Sequence, residues 1–360
     1  MLTKRANNTL KFIFVKFIIM SFLILCFILM NKNLINSEHK SSENYQTRKI
    51  YNIFNYSIKY DEYNEIIEHK YKYLQNYFCE YYKENLNQEI ENKIQIAKIY
   101  FKGINFKMFV YKKDDIVSNS ILISHQYEGS YTNQFLNALN FYSKKKHIDN
   151  KEIYFIDIGA NIGCHSFIIG KYGYKVLSFE ANKINNYILY KNYCLNNDVK
   201  LTIINKGLDE EDKICQLKTS PKNKGDGAIF CENREKVYPY FTGDVYNNIE
   251  LTKLNKYMKF LSEKNLAIMK IDVEGYEGKI IKGGETIISK YHIPFIFIEF
   301  AGRLLNFHHT NIFEFLQFFE NNGYKFSTVD FFSKKYISSE ELMKYNDTIN
   351  LFIVYQKFIE

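Results

Sequence analysis

Tryptophan is absent from this 360-residue chain, and proline appears only three times. Asparagine, lysine, isoleucine, tyrosine and phenylalanine are used heavily instead, a bias of composition from which no function is read. Cysteine is sparse: Cys26, Cys79, Cys164, Cys194, Cys215 and Cys231 include no Cys-x-x-Cys pair, so the spacing gives no support to a structural zinc site. Cys26 lies in an apolar N-terminal run. The other five cannot all pair within one chain, and a dense disulfide framework is not expected. Blocks of like charge are missing as well. Lys and Glu are interspersed, and a net charge of +8 over this length describes a solvated basic surface better than a nucleic-acid interface.

What is present is enough apolar sequence, 46%, to bury a large core. One apolar run is long. Residues 12–30 are broken only by Lys16, and at ~1.5 Å per residue they approach the ~30 Å hydrocarbon core of a bilayer. Leu29-Met30-Asn31-Lys32-Asn33 offers no small residues for signal cleavage, so an uncleaved transmembrane signal anchor is expected. Lysines and arginines tie on the two sides, but those nearest the apolar core lie on the N side. A secretory-pathway membrane with a lumenal body is expected from this. Sequons at Asn55 and Asn346 are compatible with it.

Beyond a polar stem, residues 60–98 carry helical apolar spacing, and 99–111 and 120–124 read as strands. A helix is expected at 132–142. Then the pattern alternates. Strands at 153–158, 174–179, 199–205, 266–271 and 294–298 are separated by helical stretches at 163–171, 183–196, 251–263 and 277–290, with another helix at 311–321. Residues 207–250, rich in glycine and charge, read as strands and loops, a candidate flap. Two closing strands, 324–331 and 351–355, lack a crossover helix and should pair antiparallel. Strands alternating with helices imply an α/β fold with a mostly parallel, doubly wound sheet.

Four strand ends deliver acids: Asp157, Glu180, Asp272 and Glu299. Carboxyl ends of parallel strands share one edge of the sheet, where open α/β sheets bind ligands. Gly159 and Gly163 allow a tight turn after Asp157, and the next helix points free N–H groups at a ligand. Glu180, 17 residues after Gly163, is placed to accept hydrogen bonds from a ribose diol. A pyrophosphate would be repelled by Asp157, whereas the sulfonium and ammonium of S-adenosylmethionine would be attracted. This disfavours the alternative, an NAD(P)-dependent oxidoreductase. A catalytically silent membrane-anchored binding protein is the non-enzyme alternative.

Asp157-Ile158-Gly159-Ala160-Asn161-Ile162-Gly163, Phe179-Glu180 and Lys270-Ile271-Asp272-Val273-Glu274-Gly275-Tyr276-Glu277 with Gly283 resemble the FkbM family of S-adenosylmethionine-dependent methyltransferases. Ser118, Tyr127 and Glu128 sit where that family carries a Ser and an aromatic-Glu pair. The resemblance implies a seven-stranded methyltransferase (Rossmann-like) sheet, with Asp157, Gly159, Asn161 and Gly163 at the methionine end, Glu180 on the ribose and Asp209 near the adenine. The family's Phe-Glu-Pro is Phe179-Glu180-Ala181 here, and its Leu-Asp is Leu254-Asn255. The implied organisation is a basic tail (1–11), an anchor (12–30), a stem and helical extension (31–98) and a methyltransferase domain (99–360, core 116–300). A hydroxyl of a sugar, glycan or related small molecule is the expected methyl acceptor. A hydroxyl needs a base, and Asp272, Glu274, Glu299 and His308 are the candidates. No metal is called for by the spacing.

Overall fold

The computed structural model describes residues 71–80, 87–231, 242–345 and 347–360. Residues 71–80 are helical. An antiparallel hairpin comes next, β1 (Ile94–Phe101) and β2 (Ile104–Tyr111), then helices α1 (Ile116–Ser124) and α2 (Gly129–Lys146). The first βαβ units are β3 (Ile153–Ile158), α3 (Cys164–Lys171), β4 (Lys175–Phe179), α4 (Lys183–Leu195) and β5 (Leu201–Ile204). Four strands then form a separate sheet: β6 (Gly207–Leu208), β7 (Lys213–Ser220), β8 (Asn223–Phe230) and β9 (Val245–Thr252). The main sheet resumes with β10 (Asn265–Ile271), α5 (Glu277–Tyr291), β11 (Phe295–Ala301), α6 (Gly302–Phe307), α7 (Ile312–Asn321), β12 (Tyr324–Ser327) and β13 (Thr348–Tyr355).

The seven strands lie in the order β12-β13-β11-β10-β3-β4-β5. β3, β4, β5, β10 and β11 are mutually parallel, and β13 runs antiparallel between β11 and β12. The chain winds outward from β3 to β5, then returns to the other side of β3 with β10 and β11. That reversal opens a crevice at the carboxyl ends of β3 and β10. Every side chain of β3 is buried, as a central strand covered on both faces requires. Isoleucine and phenylalanine from β3, β10 and β11 supply the core between the sheet and its helices.

The edge strand β5 is finished by a side chain. Gln75 Nε2 donates to Leu201 O (2.9 Å) and Gln75 Oε1 accepts from Ile203 N (3.2 Å), so its amide occupies the place of one more strand residue. The Cys79–Cys194 disulfide ties that helical segment to α4, and Cys215–Cys231 joins β7 to the residue after β8. Cys164 is free and buried. Four of the five cysteines outside the apolar run therefore pair, more crosslinking than the spacing suggested.

Several expectations need correction. Among the described residues no helix is long and apolar enough to cross a membrane. The predicted anchor at 12–30, most of the stem and the sequon residues Asn55 and Asn346 lie outside the described residues. The expected transmembrane helix, membrane partner and lumenal single-pass topology are thus not supplied by any described helix. The helical reading of 60–98 fails at β1, whose alternating burial is that of a strand. Residues 120–124 are the end of a helix, because Asp115 caps α1 by accepting from Ser118 N (2.8 Å). The helix read at 251–263 is shorter than expected: β9 extends to Thr252, and a 3-10 turn (Leu254–Tyr257) then runs into one α-helical turn (Met258–Leu261).

Candidate active site

The crevice is a cleft of about 520 Å³, within the range of small-molecule sites. Its floor is the turn after β3. Gly159 (φ +76°) and Asn161 (φ +54°) both take left-handed backbone there. A Cβ on Gly159 would stand 1.9 Å from the Asp272 carbonyl oxygen, so the glycine is required by the close approach of the turn to the end of β10. Gly159 N and Ala160 N donate to Phe179 O (3.0 Å each), which pins the turn to β4. Gly163 begins α3, but a Cβ on it would strike Leu189 and Phe167, so its demand comes from packing behind the cleft.

Glu180 directly succeeds β4 and lines the cleft beside Phe179, Leu208 and Ile280. Its Oε2 accepts from Asn161 N and its Oε1 from Asn182 N, both at 2.7 Å. A carboxylate has about four acceptor positions, so with the Asn185 side chain as a third partner some capacity remains for a ligand hydroxyl. Burial pushes the Glu180 carboxyl up to about 7, against the pull of those two amides.

Asp157 is placed differently from expectation. It is 1% exposed and sits behind the turn, where Oδ2 accepts from Ser166 Oγ (2.6 Å) and Oδ1 lies 3.4 Å from Lys270 Nζ. Asp157, Ser178 and Lys270 are register neighbours, forming a polar stripe across the buried sheet. The charge that argued against a pyrophosphate is therefore already matched by Lys270. Asp209 is also off the cleft: it is fully buried, accepts from Glu210 N (2.6 Å) and pairs with Lys213 (3.1 Å).

The other end of the cleft is acidic. Asp272, Glu274 and Glu299 each bring a carboxylate oxygen within 4.8 Å of the others. Asp226, from β8, joins them and shares a hydrogen bond with Glu274. Burial and the Asp272 charge push Glu299 up to about 8, and burial raises Asp226 to about 6. Glu274, half-buried on a left-handed turn (φ +55°), is raised well above the ordinary glutamate range by loss of solvent and by Asp226. Carboxyls this close share protons in place of ionising together. Glu277 instead fixes the turn, accepting from Val273 N (3.3 Å) and Gly275 N (3.2 Å). His308 is not brought to the cleft. Its ring packs edge-on against Tyr276 (4.9 Å) and Phe307 (5.0 Å).

Sequence reasoning left Asp226 and Lys270 without roles. Asp226 had no signal, lying in the stretch read as a flap. The described part of that stretch is a sheet that roofs the cleft, with Gly225 O accepting from Asn161 Nδ2 (3.3 Å) and Asn185 Nδ2 (2.7 Å) and Gly225 N donating to Asp115 (3.0 Å).

Residues 157–326 match the Methyltransferase FkbM domain. They form an FkbM-family methyltransferase domain. The match is to a family of S-adenosylmethionine-dependent methyltransferases, and it favours that reading of the domain over the oxidoreductase and silent-binder alternatives. No curated protein matches the chain. Among solved structures, the bifunctional kinase-methyltransferase WbdD is 8% identical over 64% of this chain and 40% of its own, with a TM-score of 0.37. The T. Thermophilus 16S rRNA N2 G1207 methyltransferase RsmC is 9% identical over 73% of this chain and 51% of its own, TM-score 0.34. The chain thus spans less than half the length of WbdD.

The residues present fit the cofactor. Glu180 offers spare acceptor capacity inside the cleft, apolar walls beside it suit a flat base, and the pinned turn presents backbone without a side chain at Gly159.

Proposed function

We propose that the FkbM domain methylates a hydroxyl of a neutral sugar, glycan or related polyol, with Glu180 holding the cofactor's ribose and Glu299 taking the acceptor's proton. S-adenosylmethionine supplies an electrophilic methyl group when bound. A hydroxyl is a poor nucleophile unless a base accepts its proton in the transition state, and the best base titrates near the working pH. The observation that carries the reading is the set of Asp272, Glu274 and Glu299 at the acceptor end, with Glu299 held near 8. Protonated carboxyls there donate hydrogen bonds to sugar hydroxyls, and the ionised ones repel phosphates and uronates. Asn161 and Gly159, pinned to β4, keep the turn in one geometry; Gly163 packs behind it, where Asp157 accepts from Ser166. Asp209 supports the roof sheet through Lys213.

The test is incubation with methyl-labelled S-adenosylmethionine and a panel of methyl hexosides, matched uronides and matched amines, read by mass spectrometry. Methyl ethers on the neutral hexosides are expected. Labelled amines, or uronides labelled in preference to hexosides, would defeat the assignment.

A further inference from the structure

Lys270 lies within β10 and is 3% exposed, although its side chain reaches the cleft wall. A buried ammonium costs several kcal/mol unless its charge and its three donors are matched. Here Nζ donates to Gly159 O (3.1 Å) and stands 3.4 Å from Asp157 Oδ1 and 3.3 Å from Asp272 Oδ2. One hydrogen bond to the Gly159 carbonyl and two carboxylates at ion-pair distance surround it, drawn from the glycine turn, from the end of β3 and from the residue after β10. The charge of the ammonium is thus matched within the protein, and its role is to hold other groups.

The groups it holds lie at both ends of the cleft. The turn's amides at Gly159 and Ala160 are fixed to Phe179 O, and Lys270 fixes the turn's carbonyl from the opposite side. Asp272, two residues on and on the same face of the chain, belongs to the acid-lined acceptor end. We propose that Lys270 is a positioning residue for methyl transfer, whose ammonium locks the cofactor turn and the Asp272 carboxylate at one fixed separation. The proposal rests on reading the cleft as the methyl-transfer site. Burial works against the Lys270 charge, but Asp272, Asp157 and Glu128 outweigh it and hold the ammonium protonated.

The competing account is that Lys270 only neutralises Asp157. K270M would leave that carboxylate buried and unpaired and is expected to unfold at lower temperature. D157N/K270M removes both charges and keeps an acceptor for Ser166, so its melting is expected to recover. Calorimetry with S-adenosylhomocysteine then decides. D157N alone, with Lys270 still on Gly159 and Asp272, should bind within about threefold of the native protein, whereas D157N/K270M should bind about tenfold more weakly or worse. A double variant that melts and binds like the native protein overturns the proposal. Should the double variant not recover its fold, K270R keeps the charge beside Asp157 but changes the donor geometry: weakened binding supports positioning, and native affinity overturns it. Native protein that binds no S-adenosylhomocysteine would instead refute the methyl-transfer reading itself.

Discussion

At the β3–β4 end of the cleft each carboxylate has donors of its own: Glu180 has the amides of Asn161 and Asn182, and Asp157 has Ser166 and Lys270. At the β10–β11 end Asp226, Glu274 and Glu299 gather around Asp272, and their protons are held up by burial first and then by nearby carboxylate charge, that of Asp272 in every case. The first arrangement is rigid and fits a ligand that is the same in every turnover. The second can take up and release a proton, which a hydroxyl acceptor requires. One sheet edge thus carries two electrostatic regimes, separated by little more than the turn that Lys270 fixes.

If that contrast is right, substitutions at the two ends should fail differently. E299Q keeps the shape and removes the base, so methylation of whichever hexoside is accepted should fall by roughly 10²–10⁴, while S-adenosylhomocysteine affinity stays native. A parallel loss of affinity would erase the distinction between the ends. E180A should act the other way, weakening S-adenosylhomocysteine binding by about 100-fold as measured by calorimetry, since it removes the diol acceptor and strands two buried amides. Native affinity in E180A would remove the ribose assignment.

Proton traffic offers a smaller but cleaner comparison. The folded-state values of Glu180 and Glu277 (each about 7), Glu299 (about 8) and Asp226 (about 6) all lie above those of an unfolded chain, chiefly through burial. Between pH 5 and 8 the folded protein then binds more protons than the unfolded one, so stability falls as pH rises. Carboxyls with lowered values, such as Glu210 at about 2, lose their contribution only below that window. The ligand-free protein should therefore melt several degrees higher at about pH 5.5 than at about pH 8 by calorimetric scan. Affinity for S-adenosylhomocysteine should run oppositely, weakening as pH falls below 7 and Glu180 takes a proton.

Much of the first regime was legible in the chain. An apolar run ending in Asp157 and glycines, and another ending in Phe179-Glu180, announce buried strands and the turns after them, because strand period and turn chemistry are local. The second regime was half legible: Asp272, Glu274 and Glu299 stood out, whereas Asp226 arrives from a roof sheet whose pairing depends on contacts between β7 and β9. Non-local partners explain the other misses. Nothing near Asp157 in sequence shows that Lys270 neutralises it, and nothing near Cys79 points to Cys194. Residues 120–124 looked like a strand because three apolar side chains there stand in a row, and only the cap at Asp115 decides otherwise.

His308 gives the mildest prediction and the sharpest check on how sequence position can mislead. It comes soon after the fifth parallel strand, where a histidine beside carboxylates invites a role as base. The chain turns through α6 first, and the imidazole ends up packed against Tyr276 and Phe307. Burial, with His309 and Lys279 nearby, pushes it down to about 4, so it is neutral throughout the working range. H308F preserves the ring contacts and should change methylation rate and S-adenosylhomocysteine affinity by less than about twofold, with a stability cost of about 1 kcal/mol. Its pH–rate profile should overlay the native one, because the proposed base, Glu299, lies in the cleft and is untouched by the change. A lost or displaced limb in H308F would move the base from the β11 strand to the α6 end, and the division of the cleft into a fixed end and a proton-trading end would have to be redrawn around it.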